Sequence, residues 1–109
     1  MAKRKHRKDR NHIIYKLTCE CTGDTYIGVT VVQNRKAQKS LRGRWLRHIH
    51  KAVVGLADYP ISQAIRTFGE ESFSREILHI IRGKAEAFEF EANLINEIRP
   101  TLNTKMIAA

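Results

Sequence analysis

Glu91 is the residue whose position most needs a chemical explanation. The segment from Lys84 to Ile98 sets apolar residues at Ala87, Phe88, Leu94, Ile95 and Ile98, and position 91 falls on the same stripe. Glu86, Glu89 and Asn93 fall on the opposite face, toward water. A carboxylate among apolar side chains loses hydration, so it must pair with a cation or bind a metal ion. Taken alone, an internal ion pair with an arginine is the simpler outcome. Arg44 and His48 stand four residues apart, which makes them neighbours on one helical face. The planar fork of Arg matches phosphate oxygens, and His exchanges a proton near neutral pH. The plainer alternative is a wet basic face. Tyr15 and Tyr26 lie eleven residues apart on two β-rich segments, so two phenols could share a cleft above a sheet, although tyrosine is common in strands for packing alone. Gly28 shares the face of Tyr26, where a glycine admits close approach of a backbone or ligand. Asn103, in Thr101-Leu102-Asn103-Thr104, reads on its own as a turn residue.

The elements that must position these groups follow from periodicity and breakers. Ile13 to Thr18 alternates as a strand, the Thr22-Gly23-Asp24 cluster turns the chain, and Thr25 to Val32 is rich in β-branched and aromatic residues. The two form a hairpin. Gln33 to Ser40 reads as a polar basic loop. Leu41, Trp45, Ile49 and Val53 then recur every four residues, predicting a helix to Val54 that Gly43 shortens at its start and Gly55 ends. Trp45 sits on that apolar row and is expected in the core. Pro60 opens a short helix with Ile61, Ala64, Ile65 and Phe68 on one face, stopped by Gly69. Ser72 to Ile81 is a third strand, and Lys84 to Ile98 a last helix cut off before Pro100. The order β-β-α-α-β-α is satisfied most simply by a three-stranded sheet covered by helices, an α+β domain.

Bulk properties narrow the partner. A chain of 109 residues with 42% hydrophobic content suits one domain with a single core. No apolar run is long enough for a bilayer, so no membrane partner is expected, and the basic start lacks the apolar stretch of a secretory signal. A cytoplasmic location is therefore expected. Cys19 and Cys21, the two cysteines, sit too close for an easy disulfide and lack partners for a zinc site, so they read as reduced thiols. The net charge is +9, of which residues 1–10 carry +5. Residues 1–11 read as a basic flexible arm, with Lys3, Arg4, Lys5, Arg7 and Lys8 able to lie along phosphates. Residues 12–109 form the domain. Residues 33–51 hold seven Lys or Arg and no acid. A basic arm and a basic stripe suggest a polyanion, most often nucleic acid, against a solvated charged surface as the plainer alternative.

Together these residues resemble the GIY-YIG nuclease family. Ile13-Ile14-Tyr15 followed by Tyr26-Ile27-Gly28 is similar to its two-part signature. Arg44-Trp45-Leu46-Arg47-His48, then Phe68-Gly69 and Phe73, Glu91 and Asn103 follow in matching order over about residues 12–104. No one of these is specific, but their joint order and element types are. Ile13 stands where the family usually has Gly. Tyr59 lies in the stretch where some members carry a His, and His50 is a basic residue the pattern does not require.

The resemblance implies a three-stranded antiparallel sheet flanked by three helices and a stand-alone endonuclease that hydrolyses DNA phosphodiester bonds, of the kind met in homing, restriction or phage-encoded enzymes. It implies one Mg²⁺ (or Mn²⁺) held by Glu91, Tyr15 as general base with His48 taking up the proton, Arg44 on the phosphate oxygens, Tyr26 hydrogen-bonding phosphate or water, and Gly28 and Asn103 in support. Arg35, Lys36, Lys39, Arg42, Arg47 and Lys51 would join the arm in contacting the DNA backbone. The family usually attaches this module to a separate DNA-reading domain, so target choice falls to the small domain itself, a homodimer or a separate DNA-targeting partner. Three other readings compete: a non-catalytic module binding DNA or RNA on the same fold, a basic protein binding RNA or a ribosomal partner through its arm, and a scaffold in which Glu91 pairs with Arg44.

Overall fold

The computed structural model describes residues 10–103, so Lys3, Arg4, Lys5, Arg7 and Lys8 lie outside the described residues. Seven elements follow one another: β1 (Asn11–Cys19), β2 (Thr25–Val31), α1 (Ala37–Val53), α2 (Pro60–Phe68), a 3-10 turn at Glu70–Ser72, β3 (Phe73–Arg82) and α3 (Lys84–Ile98). The sheet is antiparallel throughout, in the order β2-β1-β3. The α+β architecture, with three strands and three helices in the order β-β-α-α-β-α, is the one the sequence predicts.

β1 is central and is covered on both faces, which is why its apolar residues do not simply alternate with polar ones. Ile13, Ile14, Tyr15, Leu17 and Cys19 are all fully buried. Ile13, Tyr15, Leu17 and Cys19 face Leu41, Trp45 and Ala52 of α1, Ile61, Ala64 and Ile65 of α2, and Leu102. Ile14 and Ile27 face the other way, onto Ala87, Phe90, Leu94 and Ile95 of α3. Burying each of these branched aliphatics contributes roughly 1.5–3 kcal/mol. The two faces thus carry separate cores, with α1 and α2 on one and α3 on the other.

Several boundaries differ from expectation for physical reasons. β1 extends to Asn11 and Cys19 because β3 pairs along its whole length, from Asn11↔Arg82 to Cys19↔Phe73, so Asn11 is strand. Between Ile14↔His79 and Tyr15↔Ile77 the register slips by one residue, a bulge at Leu78. α1 begins at Ala37, four residues into the expected loop. Ala, Gln and Lys are good helix formers that their polarity disguised, and Gly43 does not interrupt the helix. The four-residue apolar row on α1 also drifts: after twelve residues it has rotated about 120° off the buried face. Val53 is accordingly exposed and Ala52 takes the core position. Phe88 and Ile98, assigned to the buried stripe of α3, are also exposed, and Phe90 packs in their stead. Cys19 is buried and Cys21 exposed, and neither is in a disulfide. Among the described residues no helix is long and apolar enough to cross a membrane.

Candidate active site

The hairpin register sets the phenols side by side. Tyr15 pairs with Gly28, and Leu17 with Tyr26. The two tyrosines are therefore diagonal neighbours on the α1 side, with ring centroids 6.1 Å apart. Gly28 is what lets them meet. A Cβ there would stand 2.5 Å from both Cζ and the oxygen of Tyr15 and 2.8 Å from Cε1 of Tyr26, so any side chain would displace the phenol.

α1 supplies the polar partners from one face. His48 is buried, and its Nε2 lies 2.9 Å from the Tyr15 hydroxyl. Nε of Arg44 donates a long hydrogen bond, 3.4 Å, to the same oxygen. Because Arg44 can only donate, the phenol keeps its own proton available for His48 Nε2, which fixes the neutral tautomer with hydrogen on Nδ1. The Tyr26 ring stands edge-on to the imidazole, 5.0 Å between centroids. Trp45 is buried behind them, 5.4 Å from Phe73, as a core residue.

Burial decides the protonation states. It drives His48 down to about 4, helped by the charges of Arg44 and Lys51, so the imidazole is neutral at pH 7 and able to accept a proton. Burial also raises Tyr15 far above the usual phenol range, and Tyr26 adds to the rise. Arg44 pulls the other way, but burial outweighs it and the phenol stays protonated in the free protein. Tyr26 is raised by burial as well, against the opposing charge of Arg44 and with a further push from Glu91.

Glu91 comes from α3, on the opposite face of the sheet, yet it is electrostatically coupled to Tyr26 and Arg44. It is half-buried. Burial raises its pKa and Arg44 partly offsets that. Among the described residues its carboxylate makes no hydrogen bond and no ion pair within 4 Å, with Arg44 or any other group, so the internal Glu91–Arg44 pair of the scaffold reading is not formed. A partly desolvated carboxylate without a direct cation fits a metal ligand. Among the described residues no three His, Cys, Asp or Glu cluster as a metal cage. A single carboxylate completed by water and substrate oxygens is the donor set that suits Mg²⁺.

Asn103 braces the edge of the sheet. Its side-chain oxygen accepts from the Ile27 N–H at 2.8 Å, and its amide nitrogen donates to the Ile27 carbonyl at 2.6 Å. One side chain thus satisfies the outward backbone groups of an edge strand, alongside the Leu102 N–H to Thr25 carbonyl bond at 2.9 Å. A hollow of about 230 Å³ opens on the cluster, walled by Tyr26, Arg44, His48 and Asn103 and completed by Lys51 and Tyr59. Tyr15 lies behind this wall. Tyr59, which precedes Pro60 at the start of α2, thus shares the hollow, and Lys51 tunes His48 besides being a surface cation. That second role follows from packing and has no sequence signal. His50 is exposed and absent from the hollow. Arg35, Lys36, Lys39, Arg42, Arg47 and Lys51 are all exposed.

A family model described as the GIY-YIG catalytic domain matches residues 11–105, nearly the whole chain. Comparison with curated proteins and with solved structures finds no significant match.

Proposed function

The chain belongs to the GIY-YIG catalytic-domain family, a nuclease family, and from that premise we propose that it is a divalent-metal-dependent endonuclease acting on the phosphodiester bonds of DNA. The observation that carries the proposal is the Tyr15 hydroxyl held 2.9 Å from a neutral, buried His48 and within reach of Arg44. In this reading Arg44 takes a non-bridging oxygen of the scissile phosphate through its fork. Its hold on Tyr15 is long and weak, so moving toward the phosphate frees the phenol oxygen for the attacking water. Tyr15 accepts the water proton as its own passes to His48 Nε2, so no free phenolate has to accumulate. Catalytic hydrogen bonds commonly tighten in this way once substrate is bound. Tyr26 orients the phosphate or the water, and Gly28 and Asn103 hold β2 in register. Mg²⁺ or Mn²⁺ at Glu91 would stabilise the charge on the leaving oxygen.

The exposed basic row of α1 and the basic residues from Lys3 to Lys8 would contact the backbone without reading bases. Target choice would then rest with a homodimer or a separate DNA-targeting partner. The test is nicking of supercoiled plasmid with and without Mg²⁺ by the wild type, Glu91→Ala, Arg44→Ala and Tyr15→Phe. Cutting should require metal and fall at least 100-fold in each variant. Unchanged cutting in all three would reject the site. Metal-independent binding with no cutting by the wild type would return the chain to the reading of a non-catalytic binding module.

A further inference from the structure

Gly43 has no role inside the fold. It lies within α1, where glycine is less favourable than alanine, and an added Cβ would meet nothing within 4 Å. No turn, positive φ or close packing calls for it, unlike Gly28. What distinguishes position 43 is its place in the floor of a groove of about 220 Å³ between α1 and the preceding turn, beside Lys36, Lys39, Arg44 and Arg47.

The groove has a fixed wall. The N–H of Lys36 donates to the Gln33 carbonyl at 3.0 Å, closing a turn whose central residues, Asn34 and Arg35, both have positive φ of 53° and 58°. Ser40 ties this turn to α1, accepting from the Gln33 N–H at 2.8 Å and donating to the Lys36 carbonyl at 2.7 Å. Arg44 lines both this groove and the catalytic hollow. Positions 36, 39, 40, 43, 44, 47, 48 and 51 recur at helical spacing, so one face bearing no acid runs past both cavities for about 22 Å. The volume falls below the roughly 300 Å³ at which pockets begin to enclose a whole small molecule, and it suits part of a chain passing through.

We propose that this groove seats the phosphodiester backbone directly beside the linkage held at Arg44, with Gly43 leaving room for the strand to lie against α1. The bound strand then runs from the catalytic hollow along the helix, and Lys36, Lys39 and Arg47 neutralise its flanking phosphates. The proposal rests on the nuclease reading only for which linkage is cut. The seating of the backbone can be read without cleavage.

The experiment measures binding of a labelled short DNA duplex by anisotropy in EDTA, for the wild type, Gly43→Ala, Gly43→Leu and, as a control of equal bulk on the exposed face of α3, Asn93→Leu. Thermal melts check the fold. Gly43→Ala should melt at the wild-type temperature or above, because its Cβ meets open space. Gly43→Leu should bind at least tenfold more weakly, and Asn93→Leu as the wild type does. The log–log salt slope of binding should be smaller in Gly43→Leu than in the wild type by about 1 or more, the phosphates no longer being seated in the groove. With Mg²⁺ present, Gly43→Leu should raise KM more than it lowers kcat. A folded Gly43→Leu that binds as tightly as the wild type overturns the proposal, as does an equal salt slope in both proteins. If the wild type does not cut but Gly43→Leu still loses affinity, the nuclease reading fails and the groove stands. If the wild type cuts and Gly43→Leu binds and cuts equally well, the groove alone fails.

Discussion

His48 gives the site an acid limit that can be measured without substrate. Its folded value lies near 4 against an ordinary imidazole value of 6.5. Between those values the unfolded chain binds a proton that the native state refuses, so stability falls as pH falls. Above pH 6.5 both states are neutral and the contribution is constant; below pH 4 both are protonated and the loss is complete. At about 1.4 kcal/mol per pH unit the whole loss is about 3 kcal/mol, of which about 2 kcal/mol is gone by pH 5. His48 is 6% exposed, so solvent screening discounts this little. The assay is urea denaturation at pH 7, 6, 5 and 4.5 for the wild type and His48→Gln. Gln cannot titrate, and its amide can still accept from Tyr15. The wild-type midpoint should fall on acidification by roughly 1–2 M urea more than that of the variant. Parallel pH dependences would refute a neutral, desolvated His48 and, with it, His48 as the proton acceptor for Tyr15.

Other outcomes follow from the same geometry. Gly28→Ala forces the Tyr15 phenol from its place and should cost about 1–3 kcal/mol by thermal melt, with nicking lost in step; an unchanged melt would mean the ring has free space behind it. Asn103→Ala strips two hydrogen bonds from Ile27 and should cost about 1–2 kcal/mol by urea denaturation, and Asn103→Asp, which keeps the acceptor but sets a carboxylate oxygen against the Ile27 carbonyl, should cost at least as much. Binding to duplex DNA should weaken linearly on a log–log plot against salt, with slope about −0.9 per phosphate neutralised. Lys36→Ala, Lys39→Ala and Arg47→Ala should each reduce that slope by about 1, and a flat salt response would argue against backbone binding.

The element types were legible in the sequence because local signals agreed with tertiary demands. Pro60 and Gly69 bracket α2, which ends on a glycine with φ of 85°, and Lys84 to Ile98 is helical over its whole predicted length. The boundaries that shifted are those set by partners. β1 is longer than its alternation because β3 runs alongside it, and α1 starts early because a polar stretch of helix formers resembles a loop. At the site, Tyr15, Tyr26, Gly28, Arg44 and His48 could be paired off by strand and helix spacing, and the structure brings all five together. Three features had no signal in local spacing or periodicity. Tyr15 is fully buried, so its phenol resists ionisation despite the nearby arginine. Asn103, which alone reads as a turn residue, bonds across 76 positions to Ile27. The groove at Gly43 lies beside a turn that Ser40 ties to the helix, a contact no local pattern announces.

One guanidinium is a shared cause of four titrations: Arg44 lowers Tyr15, Tyr26, Glu91 and His48 alike. For the acids this favours the charged form, and for the imidazole it favours the neutral one. The first effect acts in the direction the proposed reaction needs, whereas the second keeps His48 unprotonated at rest while making it a weaker base; both come from charge alone, and gripping a phosphate needs the planar fork as well. Arg44→Lys and Arg44→Gln therefore separate the two roles. Both should lose most nicking activity. His48 followed by NMR pH titration should remain near its wild-type value in Arg44→Lys and rise in Arg44→Gln. It should still titrate below 6.5, because burial is the larger cause and survives the substitution. If His48 titrates identically in all three proteins, Arg44 acts on the substrate only, and the electrostatic link between phosphate recognition and the Tyr15–His48 proton path is lost.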